Sequence, residues 1–274
     1  MENDAITACR GIFEDNRLGP IVFSTPELGK WSTAGGLGVM VDELSLGLAA
    51  IGEEVWVISP YYDKNKRGES GYLDDCFEWK ANINVTIENE SLEMGVFYGV
   101  YRDVNLVFLH HGDIFPKVYC EGGPKYVIKQ LSTWAKASLE VCCYFSIKPA
   151  VMVTNDWFTG LVPAYAKQGF FGDYFNDTTF MHICHNLNPT YEGRIYPSSQ
   201  EGTLDEVHNL PSWYLVDPAW TKPLLNPSRC AILASDQWAT VSPSYKNELL
   251  GSSPLAYALR EKPDAFAFNN GIPK

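Results

Sequence analysis

The 274-residue sequence has no run of about 18 or more apolar residues, so it holds no segment built to cross a bilayer as a helix. Its first residues, MENDAITACRG, lack the basic and apolar stretches of a secretory signal. Positive charge is also scarce: 21 Lys and Arg against 33 Asp and Glu leave a formal net charge of −12. That balance excludes a sequence-independent grip on nucleic acid, which needs clustered cations, and disfavours an acidic membrane surface as partner. Cys9, Cys76, Cys120, Cys142, Cys143, Cys184 and Cys230 are odd in number, show no CxxC spacing and sit mostly among apolar neighbours. They read as buried thiols of a reducing compartment rather than as disulfides or metal ligands. The sequons at Asn84, Asn89 and Asn176 then read as unmodified. Neither a DxD element nor a His/Cys cluster is present to hold a metal. The expectation is a soluble, cytoplasmic chain with no nucleic-acid or membrane partner.

What is present suits an ordinary globular core. The composition is 46% hydrophobic and 14% aromatic, without low-complexity tracts or internal repeats. PIVFST (20–25) reads as a buried strand, the stretch from about Leu37 to Ile51 as a helix, and EEVWVISP (53–60) as the next strand. Over residues 81–110 the apolar positions alternate with period two around an ENES and an RD turn, as antiparallel strands do. KYVIKQLSTWAKASLEVCCYF then spaces its apolar residues by three and four, giving a helix with one buried face. Strand-and-helix alternation resumes with AVMVT (150–154), DWFTGLVPAYAKQ and TTFMHICH (178–185), and again with NPSRCAILASD, QWATVS and PSYKNELL. The fold class is therefore α/β, a Rossmann-like and mostly parallel sheet with an inserted antiparallel β-meander. Residues 1–19 form an extension, and 20–274 a single domain.

Ligands of such sheets bind beyond the carboxyl ends of the strands. The residues placed there are Gly35-Gly36-Leu37-Gly38, His110-His111, Asn155-Asp156-Trp157, His185-Asn186 and Ser242-Pro243-Ser244-Tyr245. A glycine-rich loop before a helix offers bare backbone N–H groups to an anion such as a diphosphate, although a tight turn with no ligand looks the same. No GK[ST] follows it, and its glycines at 35, 36 and 38 do not match the dinucleotide fingerprint. Asp156 suits either an N-cap or a partner for a sugar hydroxyl, and His185 either a core residue or a site residue. Tyr191, Tyr196, Trp213, Tyr214 and Trp220 lie in a Pro-rich, helix-poor segment, where aromatic rings stack on sugars if exposed and pack if buried.

Taken in order, Gly35-Gly36-Leu37-Gly38, SPYYD with Pro60 and Tyr62, TNDW followed by TGLVPAYAK, ICHNLNPTYEG, ASDQWATVSPSYKNEL and Asn270-Gly271-Ile272 resemble the bacterial-type glycogen synthases and plant starch synthases. These are retaining glucosyltransferases of GT-B fold, and the likeness runs over about residues 20–272 of this chain and falls in the family's N-terminal half. It implies a domain that faces an α-glucan acceptor and works with a nucleotide-binding C-terminal domain, absent from this chain, so that the chain alone is inactive. By the same resemblance Asp156 and His185 are catalytic and line the glucosyl side of the cleft. Gly35, Gly36, Leu37 and Gly38 bring amides to the donor phosphates. Asn155, Trp157, Asn186 and Tyr191 bind substrate, and Asn270 marks the hinge. The substrate is a nucleotide sugar, ADP-glucose or UDP-glucose, with no cofactor and no metal, and a plant-type parent implies a plastid.

Two positions depart from that pattern: Thr33 stands where the family has lysine, and Val39 where it has aspartate. A lysine supplies charge to a leaving diphosphate and threonine does not; Lys30 is the nearby replacement. The departures keep open a catalytically silent glucan-binding or scaffold module, or another GT-B glucosyltransferase such as an α-1,3-glucan synthase or a sucrose synthase. An uncovered cleft face also predicts some self-association.

Overall fold

The computed structural model describes residues 18–62, 77–119, 122–220 and 224–269. The first 17 residues, Cys9, Cys76, Cys120 and the expected hinge residue Asn270 lie outside these. The described chain begins with β1 (Ile21–Ser24), a short helix α1 (Gly29–Ser32), α2 (Gly36–Ala50) and β2 (Val55–Tyr61). The meander follows as β3 (Glu78–Ile87), β4 (Glu90–Tyr101) and β5 (Val104–His110). Next come α3 (Pro124–Tyr144), β6 (Val151–Asn155), a 3₁₀ turn (Trp157–Thr159), α4 (Val162–Lys167) and β7 (Thr179–Cys184). After two short helices, α5 (Asp205–His208) and α6 (Ser212–Leu215), the described chain closes with α7 (Pro227–Ala234), β8 (Gln237–Thr240), α8 (Pro243–Ser252), α9 (Ala256–Leu259) and β9 (Phe266–Ala267).

All the described strands join one sheet in the order β3-β4-β5-β2-β1-β6-β7-β8-β9. It is parallel from β5 to β9 and antiparallel only in the meander, as the sequence pattern predicts. β1 is apolar along most of its length because it lies in the middle of the sheet, paired on both sides and covered on both faces. Its one polar residue, Ser24, is fully buried and satisfied by the Trp134 indole N–H of α3 at 3.1 Å. The RD turn between β4 and β5 places Arg102 and Asp103 at φ of 48° and 65°, the left-handed pair that a tight hairpin demands.

One expected helix is divided. DWFTGLVPAYAK begins as a 3₁₀ turn and becomes α-helical only at Val162. Gly160 sits so close to the Pro227 carbonyl that a Cβ there would lie 2.3 Å from its oxygen. This packing of the turn against α7 holds the chain out of a regular helix just behind Asp156. Cys142, Cys184 and Cys230 are buried free thiols, as expected, while Cys143 is half-buried.

Candidate active site

The chain runs from β1 to β2 and β5 on one side of the sheet, then returns to β6 on the other. β1 and β6 thus flank a switch point, where the loops leaving them diverge and a crevice must open. A cleft of about 1420 Å³ lies there, lined among others by Glu27, Gly35, Tyr119, Asp156, His185 and Tyr191. Its size exceeds the roughly 300–1,000 Å³ of a small-molecule pocket and suits an extended ligand.

Asp156 follows β6 directly, in a strained conformation with φ 50° and ψ −172°. A non-glycine residue held in such a region costs on the order of 1–3 kcal/mol. Its carboxylate does not cap the following turn, so the N-cap alternative fails. Oδ1 instead accepts the backbone N–H groups of His185 at 2.8 Å and Asn186 at 3.4 Å, tying the end of β6 to the end of β7. Burial pushes the Asp156 carboxyl up to about 7, against the lowering effect of those two N–H groups, and the neighbouring Glu27 charge adds to the rise.

The His185 ring is held by Asn155, whose Oδ1 lies 3.1 Å from Nε2. Asn155 is fully buried, and its Nδ2 donates to the Ser24 carbonyl at 3.2 Å, which fixes the amide with its oxygen toward the imidazole. Nε2 therefore carries the proton, and Nδ1 is the ring's acceptor. Burial lowers the His185 pKa to about 4, so the ring is neutral near pH 7. An acid that titrates near neutrality beside a neutral imidazole suits hydroxyl groups better than anions.

The glycine loop has an occupant that the sequence reading missed. Glu27, only 3% exposed, accepts the N–H groups of Ala34 at 2.6 Å and Gly35 at 2.8 Å through Oε2. Its Oε1 accepts the Tyr119 hydroxyl at 2.6 Å, and burial together with this carboxylate pushes the phenol far up, keeping it a donor. The amides expected to meet a diphosphate are thus partly taken by the protein's own carboxylate. Gly36 and Leu37, which open α2, also line the cleft. Gly38 does not. A Cβ there would meet Thr33 Oγ1 at 2.4 Å, so this glycine is required by packing inside the loop. Thr33 is turned inward, its hydroxyl donating to the Gly29 carbonyl. Lys30 does not replace the missing lysine, since its ammonium lies over the Trp31 and Tyr101 rings, 5.1 and 5.4 Å from their centroids. Among the described residues, the lysine and arginine side chains that line the cleft are Lys117 and Arg194.

The far wall is built on a buried ion pair. Glu192, fully buried, pairs with Arg194 and accepts the Asn226 side-chain amide at 3.2 Å. The Arg194 guanidinium lies 5.0 Å over the Trp220 ring, which meets Tyr196 edge to face. Between the paired residues Gly193 adopts φ 71° against Trp157, and a Cβ there would fall 2.4 Å from that ring. Trp157 in turn faces Tyr119 at 5.9 Å. Tyr191 and Tyr196 stand 61% and 55% exposed at the cleft, so their rings are available for stacking.

The structure therefore brings together Gly35, Gly36, Leu37, Asp156, Trp157, His185, Asn186 and Tyr191. Asn155 lies beneath them as a support. His110 and His111 border a separate hollow on the meander. Of the Ser242–Tyr245 stretch, Tyr245 contributes indirectly, its oxygen accepting the Leu187 N–H at 2.8 Å. Among the described residues no group of three or more His, Cys, Asp or Glu side chains is placed to hold a metal ion. No helix among them is long and apolar enough to cross a membrane.

Comparison with known proteins gives this geometry a family context. Residues 20–261 match the starch synthase catalytic domain family. The chain is 30% identical over 270 residues to the chloroplastic/amyloplastic granule-bound starch synthase 1 of Solanum tuberosum, covering 85% of this chain and 41% of that protein. It is also 30% identical over 258 residues to the Arabidopsis thaliana counterpart, covering 84% and 40%. The catalytic domain of starch synthase IV from Arabidopsis thaliana, solved with ADP and acarbose, superposes with a TM-score of 0.78 at 21% identity, over 94% of this chain and 52% of that one. The likeness in structure shows a shared fold. The chain spans well under two thirds of the length of each of these relatives.

Proposed function

Because this chain belongs to the starch synthase catalytic domain family, we propose that it is the acceptor-side domain of a retaining glucosyltransferase. The enzyme moves glucose from a nucleotide sugar, ADP-glucose in preference to UDP-glucose, to the 4-OH at the non-reducing end of an α-1,4-glucan. The preference rests on the ADP held by the fold relative. The observation that carries the reading is the Asp156 carboxylate, held in strained backbone at the switch point between the glycine loop and His185. In this role Asp156 and His185 hold hydroxyls of the transferred glucosyl unit, and the exposed Tyr191 ring guides the acceptor. The open end of α2 at Gly36 and Leu37, with Lys117 nearby, receives charge that develops on the departing diphosphate. A nucleotide-binding domain completes the donor site, and no cofactor takes part. A plastid setting accords with the chloroplastic/amyloplastic relatives.

A second reading, a glucan-binding module without transfer, is favoured by two observations. Thr33 is turned away from the cleft, and Glu27 occupies the Ala34 and Gly35 amides. Thermal denaturation with maltoheptaose and with ADP-glucose tests the shared part, since a ligand that binds only the folded state raises the midpoint. Both readings expect a rise with maltoheptaose, and its absence at millimolar glucan overturns both. Transfer of labelled glucose to glucan by the domain joined to its nucleotide-binding partner supports the first reading; binding without transfer leaves the second.

A further inference from the structure

The strand β3 keeps Ile83, Val85 and Ile87 on the buried face of the meander, against α3. By that alternation Trp79 belongs on the same face. A bulge between Trp79 and Ala81 shifts the register, so that Trp79 pairs with Phe97 and Ala81 with Val96. The extra residue turns the indole over to the open face, where it is 59% exposed. The ring is not loose there, because its N–H donates to Asn82 Oδ1 at 3.1 Å.

Across the ladder Asn82 pairs with Gly95, and Gly95 with His110. Glu93 and Phe97 are its neighbours on the same face of β4. Gly95 thus leaves a bare spot in the middle of the sheet face, and a hollow of about 390 Å³ lies over it. A Cβ at Gly95 would meet Phe97, His110 and Asn82 at 3.5, 3.7 and 3.9 Å, ordinary contact distances, so the absence of a side chain is not forced by packing.

A fixed indole beside a hollow ringed by amide, carboxylate and imidazole side chains has the chemistry of polyol recognition. The apolar ring takes the C–H face of a sugar, and the polar groups take its hydroxyls. The Glu93 and Asp113 carboxylates at the rim repel phosphates, which argues against a nucleotide. The hollow also shares a loop with the main cleft: His111–Asp113 line the one and Lys117–Tyr119 the other. β5 lies two strands from β1, on the order of 10 Å at about 4.8 Å per strand.

We propose that this hollow is a second glucan-binding site, which holds an α-glucan segment away from the reacting end. The proposal rests on the glucan reading of the cleft above. A second grip on the same polymer keeps chain ends near the cleft without improving either contact.

The test follows indole N–H signals by ¹⁵N NMR as the chain is titrated with maltoheptaose, with Trp79 assigned by the loss of its signal in Trp79→Phe. The expected result is a saturable shift of the Trp79 signal, with affinity at that site weakened roughly 3- to 10-fold in Gly95→Val, which fills the hollow. Gly95→Ala weakens it less. In Trp79→Ala, maltoheptaose affinity falls by a similar factor, while the other indole signals keep their positions and report an intact fold. A Trp79 signal that stays fixed while Trp157 shifts overturns this proposal and leaves the function reading standing. A shift at Trp79 with Trp157 silent supports the hollow and counts against the cleft. Stillness of both removes both.

Discussion

Glu27→Ala removes the carboxylate that organises the glycine loop, and its cost can be worked from the contacts. Glu27 accepts three hydrogen bonds, from Ala34 N–H, Gly35 N–H and Tyr119 O–H, at 2.6, 2.8 and 2.6 Å. Bonds to a charged acceptor are worth about 1.5–3 kcal/mol each. The two amides lie at the cleft edge, where water replaces the lost partner, so their share falls at or below the low end. The phenol is more enclosed. A net loss of about 3 kcal/mol is expected, or roughly 6–12 °C in the melting midpoint for a chain of this size. Glu27→Gln keeps an oxygen for the two amides and reverses only the Tyr119 bond, so it costs about 1 kcal/mol. Calorimetry gives the stability, and hydrogen exchange at Ala34 and Gly35 gives the locality. A Glu27→Ala protein within about 0.5 kcal/mol of the parent, with unchanged exchange at both amides, would show that the carboxylate does not organise the loop.

Three further outcomes follow from the same geometry. The Asp156 carboxyl lies at about 7 in the folded chain against 3.8 ordinarily. Its contribution is therefore fully present below pH 4 and is lost as pH rises through 7, by about 1.4 kcal/mol for each unit between the two values. Asp156→Asn, which keeps an acceptor for the His185 and Asn186 amides, should match the parent in stability near pH 4 and exceed it at pH 8; equal stability at both would contradict this. Gly193→Ala combines positive φ with a clash into Trp157, and should destabilise by about 2 kcal/mol or more and shift the Trp157 fluorescence. Arg194→Met strands the buried Glu192 charge, with an expected loss of about 3–5 kcal/mol in a denaturant titration at pH 8. Burial holds the Glu192 pKa above its ordinary value, so the loss shrinks as pH falls and the stranded group takes up a proton.

The sheet was legible because its signals are local. Period-two alternation marks the meander, and short apolar runs bounded by glycine and proline mark the parallel strands. The placement of Asp156 and His185 after β6 and β7 followed from the same pattern. The split of the helix after Asp156 was hidden, since it arises from Gly160 packing on Pro227, 67 positions further along the chain. Glu27 was missed for a similar reason. Its partners Ala34, Gly35 and Tyr119 use two backbone groups and one distant phenol, which leave no spacing pattern. The bulge at Trp79 was equally silent, since a tryptophan in phase with Ile83, Val85 and Ile87 reads as one more inward residue of the strand. Lys30 was misplaced because a cation near a loop can turn either way, and two aromatic faces claim it.

The proposed function requires that the crevice at the β1/β6 switch point receive the end of a glucan. The most direct measurement is a crystal structure of this chain soaked with maltoheptaose. The expected result is a terminal glucosyl unit whose hydroxyls lie within hydrogen-bond distance of the Asp156 carboxylate and the His185 ring, with a following unit against Tyr191. Glucan bound elsewhere on the chain while this crevice holds only water would contradict it.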